Sequence, residues 1–202
     1  YRITNWEAPP NYSVQRGPVC LRLTRWGHPI LALGPGVARM HHVTTTVIYT
    51  FFASSPYFLM ESKMDVNTDV RFRDCRNDEW VGMIPAMPEA AWMERNGTIG
   101  HGPKSWKGED PAWLTYYNRT TRDGFASIHL LHDCTHPAWQ EPYLVSINAS
   151  SMRARTRGAW VRYPLRHATM RAGDYVRELQ AYLLYRFKPP RNSGFGMLVD
   201  FQ

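Results

Sequence analysis

The stretch that decides the fold is Val43-Thr44-Thr45-Thr46-Val47-Ile48-Tyr49-Thr50-Phe51-Phe52, followed by Ala53-Ser54-Ser55-Pro56 and by residues 57–66. Its first ten residues are β-branched or aromatic throughout, which favours a pleated strand over a helix. The next four have the length and composition of a hairpin loop. In the return strand, one face is apolar and the other polar, so we expect one face in a core and the other in water. The apolar face comprises Phe58, Met60, Met64 and Val66, and the polar face Tyr57, Glu61, Lys63 and Asp65.

Strand patterns recur on both sides of this hairpin. Residues 19–24 alternate apolar and polar and end at a turn cluster, and further strands are predicted over residues 124–131, 143–148 and 159–163. Residues 173–187 fit a strand and a helix, and we prefer the strand. The period of two, the hairpin punctuation and the lack of a convincing amphipathic helix predict an all-β fold, a large antiparallel β-sandwich.

One domain is expected for a chain of this length, spanning residues 1–202. The chain starts at Tyr1 rather than Met and stops at Gln202 without a terminal signal. We therefore expect it to be a segment of a larger protein.

Residues 85–111 lack a regular pattern and are rich in Gly, Pro, Trp and charge. They predict a long irregular loop that carries Trp92 and Trp106, with Trp113 just beyond it. A loop of this length in a compact domain usually has a role, often as a binding loop or lid.

Several short motifs of the first third resemble one family of folds. They are Arg16-Gly17-Pro18-Val19, Gly27-His28-Pro29, the strand at residues 44–52, residues 53–58 and Met64-Asp65-Val66. Together they resemble the β-sandwich domains of polysaccharide-processing proteins, namely exo-rhamnogalacturonan-lyase-like proteins and the galactose-mutarotase-like supersandwiches. The resemblance covers about residues 12–70. It implies a supersandwich fold and a carbohydrate-directed role, and it implies no catalytic residue.

The formal net charge is +7, and the excess is nearly all arginine. Arginine binds planar anions in a bidentate manner, so carboxylated sugars or phosphates suit this bias. A high-GC genome would give the same composition without functional meaning. Lysine-rich runs are absent, as is any run of about 18 apolar residues, so we expect neither a nucleic-acid nor a membrane partner.

Cysteines and glycosylation sequons bear on the compartment. Three cysteines, at positions 20, 75 and 134, cannot all pair with one another, so a disulfide framework is not expected, although one bridge plus a free thiol stays open. Four Asn-x-Ser/Thr sequons indicate a secreted protein if the source is eukaryotic and mean nothing in a bacterium. We expect a secreted or periplasmic protein, with a cytoplasmic location left open. The sequons begin at Asn11, Asn96, Asn118 and Asn148.

The ten residues Arg71-Phe72-Arg73-Asp74-Cys75-Arg76-Asn77-Asp78-Glu79-Trp80 hold three arginines and three carboxylates directly after the predicted sheet. Guanidinium groups, carboxylates and an indole within reach of one another are suited to gripping a polar, ring-shaped ligand. A scaffold network of the same charges that closes a sheet edge is the alternative.

A uronate lyase needs a cation to neutralise the sugar carboxylate, a base for the C5 proton and an acid for the leaving oxygen. A hydrolase needs two carboxylates about 5–10 Å apart. We assign substrate-binding roles to Arg71, Arg73, Asp74, Trp80, Trp92 and Trp106. We assign catalytic roles to Arg76, Asp78, Glu79, His42 and His101.

Three histidines, His129, His132 and His136, lie close together in sequence and suggest a zinc site, although their spacing matches no standard motif. We therefore expect no metal and no other cofactor, with a metal-dependent enzyme as a second alternative. The main hypothesis is a domain that acts on or binds an acidic polysaccharide or oligosaccharide and resembles polysaccharide lyases. The first alternative is a noncatalytic carbohydrate-binding or structural sandwich domain, with other domains of its parent protein as partners.

Overall fold

The structure, a computed structural model, describes residues 2–6, 11–33, 36–75, 79–83, 86–94, 96–102, 106–109, 111–137, 144–149, 156–160 and 165–186. These residues form eighteen strands, and none of them belongs to an α-helix that could cross a membrane. The predicted all-β fold with a large antiparallel sheet is confirmed.

The strands of the described residues, in chain order, are β1 (Arg2–Trp6), β2 (Asn11–Arg16), β3 (Cys20–Gly27), β4 (Pro29–Leu33), β5 (Gly36–Arg39), β6 (Val43–Phe52), β7 (Tyr57–Val66), β8 (Val70–Cys75), β9 (Glu79–Met83), β10 (Glu89–Met93), β11 (Ile99–Gly102), β12 (Trp106–Glu109), β13 (Trp113–Tyr117), β14 (Asp123–Cys134), β15 (Leu144–Ala149), β16 (Thr156–Trp160), β17 (Leu165–Met170) and β18 (Tyr175–Arg186).

The chain divides into two compact units, and the first comprises Tyr1–Cys75, Leu130–Glu141 and Leu165–Gln180. Its main sheet has the strand order β14-β18-β7-β6-β3-β2. The pairings from β2 to β7 are antiparallel and keep one register along each strand. A two-stranded sheet, β17-β8, and a three-stranded sheet, β1-β4-β5, belong to the same unit.

The core of the first unit lies between the main sheet and the β17-β8 pair. Valines from β6, β7 and β18 pack there against apolar side chains of β8 and β17. Because side chains alternate across a strand, the other face of the main sheet is turned away from this core. We call it the outer face. The core cluster consists of Val43, Val66, Phe72, Cys134, Ala168, Met170 and Val176.

A turn joins β17 to β18 and sets the start of β18 beside the end of β7. The Asp174 carboxylate accepts a 2.6 Å hydrogen bond from the Arg171 amide, and Gly173 adopts a φ of 92°, a conformation that few other residues take. The Gly173 amide donates to the Val66 carbonyl at 2.9 Å. This turn therefore fixes two strands that are far apart in sequence next to each other.

The second unit comprises Arg76–His129, Pro142–Pro164 and Ala181–Gln202. It contains the strand order β11-β10-β13-β14-β18 and a four-stranded sheet, β12-β15-β16-β9. Its described core cluster is Ala90, Leu114 and Tyr116, with Met87 and Trp92 packed against it. The strands β14 and β18 each have residues in both units.

The hairpin loop at residues 53–56 and the strand at residues 175–186 are confirmed, whereas the irregular loop predicted for residues 85–111 is wrong. Three short strands, β10, β11 and β12, lie in that segment. They have only four or five residues each, and β11 and β12 contain glycine, so a period of two is not visible in the sequence.

The sequon at Asn118 is tied into a turn of the second unit. Its Nδ2 atom, which would carry a glycan, donates to the Ala86 carbonyl at 2.9 Å, and its Oδ1 atom accepts from the Thr120 amide at 2.9 Å. Asn118 is also 9% exposed. A glycan on this Nδ2 atom would break its hydrogen bond to the Ala86 carbonyl, so the turn as described holds an unmodified Asn118.

Candidate functional site

The charged segment at residues 71–80 is not one loop. Residues 71–75 belong to β8 in the first unit, and residues 76–80 belong to the second unit, where Glu79 and Trp80 begin β9. Arg71 is exposed, whereas its neighbour Phe72 is buried in the core. Of the other predicted residues, Arg76 and Asp78 lie outside the described residues, as do the side chains of Arg73, Asp74, Glu79, Trp80 and Trp106.

The two histidines predicted to be catalytic lie in different units. His42 is exposed in the turn before β6, and its Nδ1 atom is 2.6 Å from the Thr68 hydroxyl. His101 is exposed on β11, opposite Ala91 of β10.

Trp92, predicted to bind substrate, is partly buried and packs against a core cluster of the second unit. It lies opposite Gly100 in the β10-β11 pairing, and a Cβ atom at Gly100 would come 2.3 Å from the indole. The ring also contacts the Ala90-Leu114-Tyr116 cluster. Because its neighbour His101 points to the other side of the hairpin, the two do not form a shared site.

The zinc site suggested by His129, His132 and His136 does not form. These residues are all described, and the described part of the chain contains no group of three His, Cys, Asp or Glu side chains that could hold a metal. In the extended strand β14, residues three apart face opposite sides, so His129 and His132 diverge. The described residues therefore give no support to the second alternative, a metal-dependent enzyme built on this cluster.

His132 pairs with a carboxylate inside the first unit. Its Nδ1 atom is 2.7 Å from Glu178 Oε1, and the two side chains are 3% and 1% exposed. Glu178 follows the core residue Val176 by two residues on β18, so it lies on the core side of the sheet. A ligand that stays in solvent does not reach this pair, which suits a structural role.

The outer face of the first unit carries a continuous row of polar and aromatic side chains. Trp26 of β3 lies opposite Thr46 of β6, and Thr46 lies opposite Lys63 of β7. Residues directly opposite each other share a face of the sheet. The Lys63 ammonium is 5.6 Å from the centre of the Tyr175 ring on β18, and Tyr175 donates to Asp133 Oδ2 on β14 at 3.0 Å. We call these five residues the outer polar row.

Charged groups beside the row are paired across and along the strands. Lys63 Nζ is 2.7 Å from Asp65 Oδ1, and Arg177 Nε is 2.7 Å from Glu61 Oε1. The hydrogen bond to Asp133 and its negative charge raise the pKa of Tyr175, because both disfavour the phenolate. The Tyr175 hydroxyl is therefore held as a donor through the neutral pH range.

Sequence reasoning identified one part of this row. The alternation in β7 predicts Lys63 and Asp65 on a face in water, and the structure places them there. Trp26, Tyr175 and Asp133 were missed as site residues, because only the strand order shows that β3, β18 and β14 flank the β6-β7 hairpin. An exposed tryptophan next to a strand-ending glycine, Trp26-Gly27, was the one local signal.

No family model matches this sequence, and no curated protein matches it. Among solved structures, the GH36 alpha-galactosidase AgaA from Geobacillus stearothermophilus is similar, with a TM-score of 0.56 and 7% sequence identity. The alpha-galactosidase AgaB from the same organism gives a TM-score of 0.56 and 6% identity. A putative aldose 1-epimerase from Klebsiella pneumoniae subsp. pneumoniae gives a TM-score of 0.42 at 8% identity, with 87% of this chain and 53% of that chain covered.

The similarity to the two alpha-galactosidases covers 88% of this chain and 25% of each of those chains. The chain thus spans a quarter of the length of these two alpha-galactosidases. At such low identity the likeness shows the fold alone. The chain shares its β-sheet architecture with one part of the alpha-galactosidases, and these enzymes are not exo-rhamnogalacturonan-lyase-like proteins.

Proposed function

We propose that this chain is a carbohydrate-binding β-sandwich domain. The observation that carries the proposal is the outer polar row, in which aromatic rings, hydroxyl groups, an ammonium group and a carboxylate lie side by side on a face away from the core. Sugar rings have apolar faces that stack on aromatic rings and hydroxyls that both donate and accept hydrogen bonds. The fold shared with part of two alpha-galactosidases also supports the proposal of a carbohydrate-binding domain.

A more specific version is a domain that acts on an acidic polysaccharide in the manner of a lyase. The net charge of +7 and the exposed guanidinium of Arg71 support it. In such a reaction a base removes the C5 proton, a C4–C5 double bond forms, the bond from C4 to the leaving oxygen breaks, and an acid gives that oxygen a proton. His42 is exposed and could act as that base, with Arg71 as the group that binds the uronate carboxylate.

The noncatalytic version fits the described geometry better. The outer polar row contains no histidine, and its lysine already lies 2.7 Å from a carboxylate. These groups suit hydrogen bonding to a bound sugar more than proton transfer. We therefore favour binding over turnover, in a secreted or periplasmic parent protein with other domains.

A glycan array that carries neutral and uronate-containing oligosaccharides tests the proposal. We expect saturable binding to at least one saccharide class, confirmed by calorimetry with the soluble oligosaccharide. Binding to nucleic acid that weakens steeply with salt, with no saccharide bound, would overturn it.

The lyase version has a separate readout. Elimination in a uronate polymer creates a double bond conjugated to the carboxylate, and the ultraviolet absorbance rises. Turnover that disappears in both His42→Ala and Arg71→Ala, with folding intact, would establish the lyase. Binding without any rise in absorbance would establish a noncatalytic domain.

A further inference from the structure

We propose that the outer polar row binds a neutral oligosaccharide that lies across the strands, with Trp26 and Tyr175 as its two aromatic contacts. The inference rests on the proposed carbohydrate-binding function and adds the site and the ligand class. It departs from the expectation of an acidic glycan, because the charges on this face are arranged differently from those of the chain as a whole.

The geometry provides two separated aromatic contacts. Trp26 lies on β3 and Tyr175 on β18, with β6 and β7 between them. At about 4.8 Å per strand, the backbones beneath the two rings are roughly 14 Å apart. Trp26 is 39% exposed, and Tyr175 is half-buried. A single sugar ring cannot cover both positions, so the arrangement suits an oligosaccharide.

Hydrogen-bonding groups fill the space between the two rings. Thr46 lies directly between Trp26 and Lys63 in the register. The Lys63 ammonium in turn lies 5.6 Å from the centre of the Tyr175 ring. The side chains of Lys63 and Asp65 are 42% and 41% exposed, so both reach solvent. An ammonium beside a carboxylate offers a donor and an acceptor at one place, which matches the dual character of a sugar hydroxyl.

The charge arrangement selects against an acidic ligand. Lys63 is paired with Asp65, and Arg177 is paired with Glu61, each at 2.7 Å. Asp133 adds a further carboxylate at the end of the row. A ligand carboxylate placed on Lys63 would displace Asp65 and lie near two fixed negative charges, whereas a hydroxyl would not.

The other cation on this face of β3 is too distant to change this balance. Arg22 lies four residues along the strand from Trp26, which is about 13 Å. The positive charge of the whole chain is therefore not concentrated at the outer polar row.

The experiment measures affinity by calorimetry for two probes of equal length, a neutral hexose oligosaccharide chosen from the array and an oligogalacturonate. The variants are Trp26→Ala and Tyr175→Ala. The matched control is Tyr12→Ala, an aromatic residue of the same sheet that lies opposite Arg25 and so faces the other side. Tyr12 is 64% exposed, so its removal should not disturb folding.

We expect the wild-type protein to bind the neutral probe more tightly than the oligogalacturonate. Trp26→Ala and Tyr175→Ala should each weaken neutral binding by about three- to tenfold, the size expected for the loss of one aromatic contact. Tyr12→Ala should bind as the wild type does. The affinity for the neutral probe should change little between about 0.05 and 0.5 M NaCl, because no ion pair forms with the ligand. Thermal melting of each variant confirms that it is folded.

The outcomes separate the two proposals. If no saccharide of the array binds, the proposed function fails and this inference fails with it. If a saccharide binds and both aromatic variants keep wild-type affinity while folded, or if Tyr12→Ala weakens binding equally, the proposed function stands and this site is wrong. If the oligogalacturonate binds more tightly than the neutral probe, the ligand class is wrong.

Discussion

Glu178 and Arg177 are neighbours on β18, and each forms a 2.7 Å pair with a side chain of an adjacent strand. The Glu178 pair is buried, whereas the Arg177 pair is exposed to solvent. Glu178 Oε1 is 2.7 Å from His132 Nδ1 with both side chains almost fully buried, and Arg177 Nε is 2.7 Å from Glu61 Oε1 with side chains 43% and 26% exposed. One strand therefore holds a buried pair on its core side and an exposed pair on its outer side.

The two pairs should differ sharply in their contribution to stability. Glu178→Ala should lower the free energy of unfolding by about 2–4 kcal/mol, because the buried Nδ1 atom of His132 loses its partner without gaining water. Glu61→Ala should lower it by at most about 1 kcal/mol, because the exposed Arg177 is solvated again. Urea denaturation measures both. Equal losses would mean that burial does not decide the value of these pairs.

Gly100 should be needed to accommodate Trp92. A Cβ atom there would lie 2.3 Å from the indole, so Gly100→Ala should cost about 1–3 kcal/mol of stability. In a Trp92→Ala background the same change should cost much less, which a double-mutant cycle measures. Gly17→Ala is the control, because its nearest neighbour would be an ordinary 3.6 Å away. Additive effects of Gly100→Ala and Trp92→Ala would show that the two positions do not touch.

Asp174 should make stability depend on pH in the acidic range. The Arg171 amide and the Thr135 hydroxyl hold the pKa of Asp174 below its ordinary value of 3.8. A lowered pKa in the folded state contributes stability above the unfolded value, and this is lost as pH falls through the folded pKa. The wild type should melt above Asp174→Ala at neutral pH, and the gap should narrow below about 3.8.

Asp174→Asn provides the control for that titration. Asparagine keeps an acceptor for the Arg171 amide but carries no charge. The melting temperature of this variant should therefore change with pH without the contribution of the Asp174 carboxyl. A gap between wild type and Asp174→Ala that stays constant down to the most acidic conditions would contradict the assignment.

Truncation of two adjacent residues of β8 should lower the stability by very different amounts. Phe72 is 7% exposed in the core, so Phe72→Ala should cost about 3–5 kcal/mol. Arg71 is exposed, so Arg71→Ala should stay within about 0.5 kcal/mol and leaves a folded protein for ligand tests. Thermal and urea denaturation of both variants measure this. A large loss at Arg71 would support the scaffold interpretation of the charged segment.

Much of the fold could be predicted where the pattern is local. The run from Val43 to Phe52 and the alternation after it are long enough for strand preference and the loop at residues 53–56 to agree. The strands β10, β11 and β12 were missed because each is short and rich in glycine or tryptophan. In such segments pairing with neighbours, rather than intrinsic preference, decides the conformation.

The candidate site was less predictable because it depends on strand order. Lys63 and Asp65 are recognisable as a polar face from β7 alone. Tyr175 and Asp133 come beside them only because β18 lies between β7 and β14, and no local pattern encodes a pairing between segments so far apart. The charged segment at residues 71–80 drew attention through its composition, yet the structure divides it between two units.

The position of β18 in the main sheet has a consequence for biosynthesis. On the ribosome β6 and β7 are made early and can pair as a hairpin, but the free side of β7 receives its neighbour only after Tyr175 has been made. Throughout that interval a ten-residue strand presents unpaired amides and carbonyls to other chains, a known cause of aggregation. Lys63 and Asp65 in the C-terminal half of β7 are the kind of charged residues that discourage such pairing, so the residues of the outer face would also protect the nascent chain.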